Sequence, residues 1–154
     1  MLKLLLRSAT RTDLPAIEAL LRSVQLTTSG VADHVCEFLV GEDGGSLVAT
    51  GGLELYGDAA LLRSVAVLPP YRDAGEGRRL IAHLLARARE AGVHDVYLLT
   101  TTAAGYFGRL GFAPLDREAV RAEVRQSAEF GDAACATAQA MWLALAGDSQ
   151  LEEG

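Results

Sequence analysis

Leu61, Leu62, Val65, Ala66, Val67 and Leu68 form a nearly unbroken apolar run that stops at Pro69 and Pro70. Such a run is the pattern of a strand buried on both faces, which places it in the middle of a sheet. Two successive prolines remove two backbone donors and fix two φ angles, so ladder pairing cannot continue past Leu68. The chain must leave the sheet there. Arg72, Asp73, Ala74, Gly75, Glu76, Gly77, Arg78 and Arg79 follow after Tyr71, and from Leu80 the apolar residues Leu80, Ile81, Leu84, Leu85 and Ala88 recur at helical spacing. A glycine loop therefore opens a helix.

That arrangement makes an anion site. The first-turn N–H groups of a helix have no internal partners and carry the positive end of the macrodipole, and glycine lets a phosphate approach the backbone closely. Arg72, Arg78 and Arg79 add charge. The plainer alternative is a capped amphipathic helix with a solvated basic end. Two familiar phosphate loops are excluded, because no Lys-Ser/Thr pair of a Walker A sequence is present and Leu80 stands where a dinucleotide fingerprint needs its third glycine.

Around this centre, Leu2 to Arg7 reads as a first strand, and Thr12 or Asp13 caps a helix with Pro15 in its first turn and Ile17, Leu20, Leu21 and Val24 as its buried stripe. Thr27 to Asp33 reads as a loop. Glu37 to Glu42 and Ser46 to Leu55 form a hairpin about Asp43, Gly44 and Gly45, and Gly51 and Gly52 mark a bulge or a close backbone approach. Gly92 ends the long helix as a C-cap glycine, and Val96 to Thr100 is a further strand. Asp116 to Ser127 reads as an extra capped helix with Val120 and Val124 four apart, ahead of a last strand Met141 to Leu145.

A chain of 154 residues, half of them hydrophobic, suits one domain, here residues 1–146, with an acidic and disordered tail over 147–154. The net charge of −6 argues against general affinity for nucleic acid or an anionic membrane. Cys36 and Cys135 fit no zinc or redox spacing, which points to a reducing, cytoplasmic setting with both thiols packed in the core, and His34, His83 and His94 have no ligand spacing, so no metal is expected.

The stretch resembles the acyl-CoA motif of the Gcn5-related N-acetyltransferases (GNAT), whose Arg/Gln-x-x-Gly-x-Gly/Ala signature is met by Arg72, Gly75 and Gly77 after a strand ending Val65-Ala66-Val67. The resemblance implies an α/β (α+β) fold with a mixed, mostly antiparallel sheet of six to seven strands, splayed between strands 4 and 5 and flanked by helices. It implies acetyl-CoA as co-substrate, with the pyrophosphate on the amides of Asp73 to Arg78 and the pantetheine arm along the main chain of Val65, Ala66 and Val67. A second landmark, Tyr106 to Phe112, is similar to the family's aromatic-x-x-Leu-Gly-Phe sequence, where a tyrosine four residues before the glycine protonates the departing thiolate. Here that position is Phe107. Tyr106 is adjacent, but one step along a helix turns a side chain by about 100°, so it serves either as the acid or as a ring packed near the cofactor. Arg109 is placed to reach a CoA phosphate or to stand exposed.

The runs LLRSVAV (61–67), YLLTTTA (97–103), FGRLGF (107–112) and SAEF (127–130), with a cysteine ahead of AMWLAL (140–145), resemble the acetyltransferase branch associated with arsenic resistance. That resemblance implies a small amine acceptor, amino-acid-like, such as an organoarsenical compound, and a possible homodimer through the C-terminal strands. Acetyl transfer needs an unprotonated amine, oxyanion stabilisation and a proton for the thiolate. Backbone N–H groups around Val65 to Val67 serve the oxyanion, Glu54 and Asp58 are candidate bases acting through water, and Arg63 and Ser64 are candidate acceptor-binding residues on opposite faces of the strand by alternation. Arg63, a charge in an apolar strand, needs a partner: an acceptor carboxylate or a structural acid such as Glu54. A catalytically silent acyl-CoA sensor, a protein or peptide acetyltransferase and a simple phosphate-binding module are the alternatives.

Overall fold

The computed structural model describes residues 4–145. They gather into two units, one comprising the chain up to Glu54 together with Leu62–Leu84, the other Leu55–Leu61 and the chain from Leu85. Leu2 and Lys3, expected in the first strand, and the expected tail over 147–154 lie outside the described residues.

In the first unit, β1 (Leu5–Ser8) pairs antiparallel with β2 (Phe38–Asp43), which pairs antiparallel with β3 (Ser46–Tyr56). Helix α1 (Leu14–Ser23) carries Pro15 in its first turn, where a missing N–H costs nothing, and buries Ile17, Leu20 and Leu21. Thr27 to Asp33 is not loop throughout. α2 (Val31–His34) runs into a 3-10 turn over Val35–Glu37, because Val31 and Val35 both bury into one cluster with Ile17, Leu21, Phe38, Val40 and Ala66. Gly44 and Gly45 take φ of 59° and 88°, as a two-residue hairpin turn requires, and Asp43 closes the turn against Ser46.

Gly51 and Gly52 keep regular register opposite Leu39 and Phe38, while the register shifts between Gly41 and Glu42. They are a close approach, not a bulge: a Cβ on Gly52 would lie 2.2 Å from the Phe38 ring. β4 (Ala59–Val67) and α3 (Glu76–Glu90) continue the unit through Leu84.

In the second unit, Ala59–Leu61 of β4 pair in parallel with Asp95–Tyr97 of β5 (Asp95–Thr100), and β5 pairs antiparallel with β7 (Gln139–Ala144). α4 (Ala104–Arg109) leads into β6 (Ala113–Leu115), a short strand against β7 that the sequence pattern did not suggest; Pro114 suits its place at the edge. The sheet order is β1-β2-β3-β4-β5-β7-β6, parallel between β4 and β5 alone.

The expected helix over Asp116 to Ser127 is replaced by separate turns. A 3-10 turn at Arg117–Ala119, α5 (Ala122–Arg125), α6 (Ala128–Gly131) and a 3-10 turn at Ala133–Cys135 are divided by extended backbone at Val120, Arg121 and Ser127. Tertiary partners outcompete the helical ladder. Val120 and Val124 bury beside Ala59, Leu61, Tyr97 and Ala140, and Arg121 is drawn to Asp58 and Asp95. Arg117 donates to the carbonyls of Phe130 and Cys135 and lies over the Phe130 ring. Cys36 is exposed and Cys135 half-buried, so neither thiol packs in the core as expected.

Two expectations follow. Gly52→Ala drives a methyl into the buried Phe38 ring, and overpacking of this kind costs about 1–3 kcal/mol, read as a lower urea midpoint with an unchanged slope. The Arg7 guanidinium, aided by the Thr10 N–H, holds the Asp13 carboxyl well below its ordinary range. A depressed carboxylate stabilises fully above its unfolded pKa of about 3.9 and loses that contribution as pH falls toward the folded value. The stability advantage over Arg7→Met, about 1 kcal/mol or less for a partly exposed pair, is therefore constant above about pH 5 and shrinks below about pH 4, checked by urea unfolding across that range.

Candidate functional site

The turn after β4 is built by its prolines. The Leu68 N–H donates to the Val48 carbonyl at 2.9 Å, and Pro69–Tyr71 then form a 3-10 turn. The Tyr71 hydroxyl donates to Asp43 Oδ2 at 2.6 Å, which raises the tyrosine pKa and fastens the turn to the β2 end of the hairpin. Asp73 and Gly75 adopt φ of 68° and 82° with Ala74 between them at negative φ. Alternation of this sign turns successive N–H groups into one concavity, a nest for an anion. The Arg79 N–H is the first to bond back, to the Gly75 carbonyl at 3.0 Å; among the described residues none of the amides from Asp73 to Arg78 donates a hydrogen bond. Six consecutive bare donors thus stand at the positive end of a fifteen-residue helix.

The side chains around the turn divide differently from the sequence expectation. Arg72 Nε donates to the Val67 carbonyl at 2.7 Å, so part of this guanidinium closes the end of β4. Arg79 is drawn to partners within the protein. It pairs with Glu76 at 2.9 Å and reaches the Leu4 carbonyl, and the same pairing engages the Glu76 carboxylate, leaving that residue's amide for the turn. Arg78 is exposed at the helix start.

Inside β4, Arg63 and Glu54 meet at 2.7 Å with both side chains fully buried, so the structural acid is the partner that Arg63 finds. Strand alternation fails at the next residue. Ser64 has φ of 61°, and its hydroxyl accepts from Arg63 Nε at 3.0 Å, so the two side chains that alternation separated lie together. A left-handed residue in mid-strand breaks the alternation of side chains immediately before Val65, Ala66 and Val67. The other Glu54 oxygen faces His34 Nε2 at 3.6 Å. Sequence reasoning missed His34, because nothing near it in the chain marks a pairing made across β3.

In the second unit, the Phe107 ring stands edge-on to Phe112, which is buried, with centroids 5.8 Å apart, and Tyr106 stands edge-on to Phe107 at 5.3 Å. The position where a tyrosine was expected is therefore filled by a packing ring. Tyr106 is half-buried and Arg109 exposed at the end of α4. Among the described residues no cluster of His, Cys, Asp or Glu could hold a metal ion, and no helix is long and apolar enough to cross a membrane.

The chain is similar to several known proteins. The amino-acid acetyltransferase of Neisseria meningitidis serogroup A is 29% identical over 116 residues, covering 70% of this chain and 27% of the relative; that of Azotobacter vinelandii is 32% identical over 118 residues, covering 71% and 27%. The chain thus spans about a quarter of the length of these relatives. N-acetylglutamate synthase from Neisseria gonorrhoeae, solved with coenzyme A and N-acetyl-glutamate, shares the fold with a TM-score of 0.82 at 24% identity, over 95% of this chain and 36% of that one. Rv2747 from Mycobacterium tuberculosis, solved with CoA and NLQ, matches 92% of this chain and 99% of its own at 27% identity and a TM-score of 0.75. A sequence model of the acetyltransferase (GNAT) family covers residues 5–112, from β1 through the bare-amide turn to Phe112, and the chain belongs to that family.

Proposed function

We propose that the protein is an acetyl-CoA-dependent N-acetyltransferase that moves an acetyl group to the amine of a small amino-acid-like molecule by direct attack in a ternary complex. The row of unbonded amides from Asp73 to Arg78 carries the reading. It offers a diphosphate the donors it needs without the cost of breaking internal hydrogen bonds. The pantetheine arm then lies along Val65, Ala66 and Val67, and the acetyl carbonyl meets N–H groups of the strand beside Ser64, where the backbone turns left-handed. The amine lone pair forms the new C–N bond, the oxyanion is held by those N–H groups, and the C–S bond breaks as a proton shed by the acylated nitrogen passes to the thiolate. The amino-acid class rests on the relatives, which are named for that acceptor; an arsenic-bearing amino acid is the narrower form of the same proposal.

A second reading is favoured by one observation. Phe107 packs on Phe112 where a proton donor was expected, which suits a silent acyl-CoA sensor. Thiol release from acetyl-CoA with a panel of amino acids, including an arsenic-bearing one, separates the two. The enzyme releases thiol in step with acceptor consumed, whereas the sensor binds and releases none.

Acetyl-CoA at a hundredfold over its Kd should stabilise the protein by about 2.7 kcal/mol, measured as a thermal shift that ATP does not match. Gly77→Asp puts a negative side chain at the anion turn and should abolish the shift. An undiminished shift in that variant would count against the turn as the binding site.

A further inference from the structure

We infer that Arg79 is a positioning residue for acetyl-CoA, one that draws the Glu76 carboxylate away from the amides that receive the diphosphate. The inference rests on the acetyltransferase reading above and concerns the same anion turn.

Glu76 places two opposed groups in that turn. Its amide is among the six bare donors, yet its side chain carries a negative charge at the first position of α3. The positive end of a helix attracts a carboxylate as it attracts a phosphate. Left to itself, Glu76 would take the donors or repel an incoming diphosphate. Solvent screens it little, because the residue is only 7% exposed. Asp73, the other acid of the turn, stands exposed.

Arg79 counters this from three residues further along. That spacing puts the two side chains on one helical face, and Arg79 sets both Nε, at 3.1 Å, and Nη2, at 2.9 Å, on the same oxygen, Oε1. Nη2 also donates to the carbonyl of Leu4, a residue buried beside Val48, Ala49 and Val67. The guanidinium is thereby anchored to the chain entering β1, and its direction is fixed before any ligand arrives. Glu76 follows it, and among the described residues none of the amides from Asp73 to Arg78 donates to that carboxylate.

Charge balance points the same way. With Arg79 and Glu76 neutralising each other, the turn meets a diphosphate with its amides, the helix dipole and the exposed Arg78. Loss of the arginine alone would leave a buried carboxylate beside a negative ligand, and like charges repel strongly where water is scarce.

Titration of the full chain with acetyl-CoA tests this. Arg79→Gln keeps a hydrogen-bond donor for Glu76 and Leu4 but removes the charge, and should raise the Kd by about tenfold or more. Adding Glu76→Gln to that variant should return the Kd to within about threefold of wild type, a recovery that loss of a merely structural arginine would not give. Glu76→Gln alone, which still offers Arg79 an acceptor, should bind at least as tightly as wild type. An unchanged Kd in Arg79→Gln, a double variant as weak as the single one, or weaker binding by Glu76→Gln overturns the inference alone. A wild type that does not bind acetyl-CoA overturns the acetyltransferase reading and this inference with it.

Discussion

Two opposite charges without exposed surface, Arg63 and Glu54, join the neighbouring strands β4 and β3. Taking both from water costs several kcal/mol per ion, and only close pairing with further hydrogen bonds recovers it. The pair is therefore a constraint before it is a contribution. Arg63 must point at Glu54, and its remaining reach finds the Ser64 hydroxyl, a contact compatible with the left-handed backbone at Ser64. An apolar strand would continue in even alternation; this one breaks its alternation at Ser64, just before the segment that faces the acyl group in the proposed mechanism.

Beyond that break, the same strand is stopped by geometry of a different kind. Pro69 and Pro70 end the ladder, the Leu68 N–H and the Tyr71 hydroxyl anchor the turn, and the positive φ values at Asp73 and Gly75 turn the amides toward one concavity. Donors left unsatisfied at a helix start are ordinarily solvated. Here six in a row are oriented by a rigid frame, and so the ordering that a bound diphosphate would otherwise require is already in place. Charge matters less than the sequence implied. Arg72 spends part of its guanidinium on the Val67 carbonyl and Arg79 pairs with Glu76, so the backbone is the larger share of the anion site proposed here.

Local pattern made much of this legible. The buried strand, the double-proline stop, the Gly44-Gly45 hairpin and the amphipathic helices follow from periodicity and turn chemistry, and the acyl-CoA signature at Arg72, Gly75 and Gly77 is confined to six residues. Where local pattern was weak, packing decided. Val31 and Val35 drew an expected loop into helix, and Arg117 and Arg121 divided an expected helix into turns by bonding to groups far along the chain. Phe107, read as a departure from a motif, has its reason in the neighbouring Phe112 ring.

The sequence by itself determined the Gly44-Gly45 hairpin, the place where the central strand ends and the helix whose first turn lies open, because each depends on residues within one turn or one strand of each other. Only the tertiary structure decided which charged groups meet. Glu54 with Arg63, His34 with Glu54, and Arg79 with the Leu4 carbonyl are separated by 9, 20 and 75 positions. Such pairings are chosen by burial across the sheet, where an unmatched charge is too costly to leave, and no spacing along the chain records them.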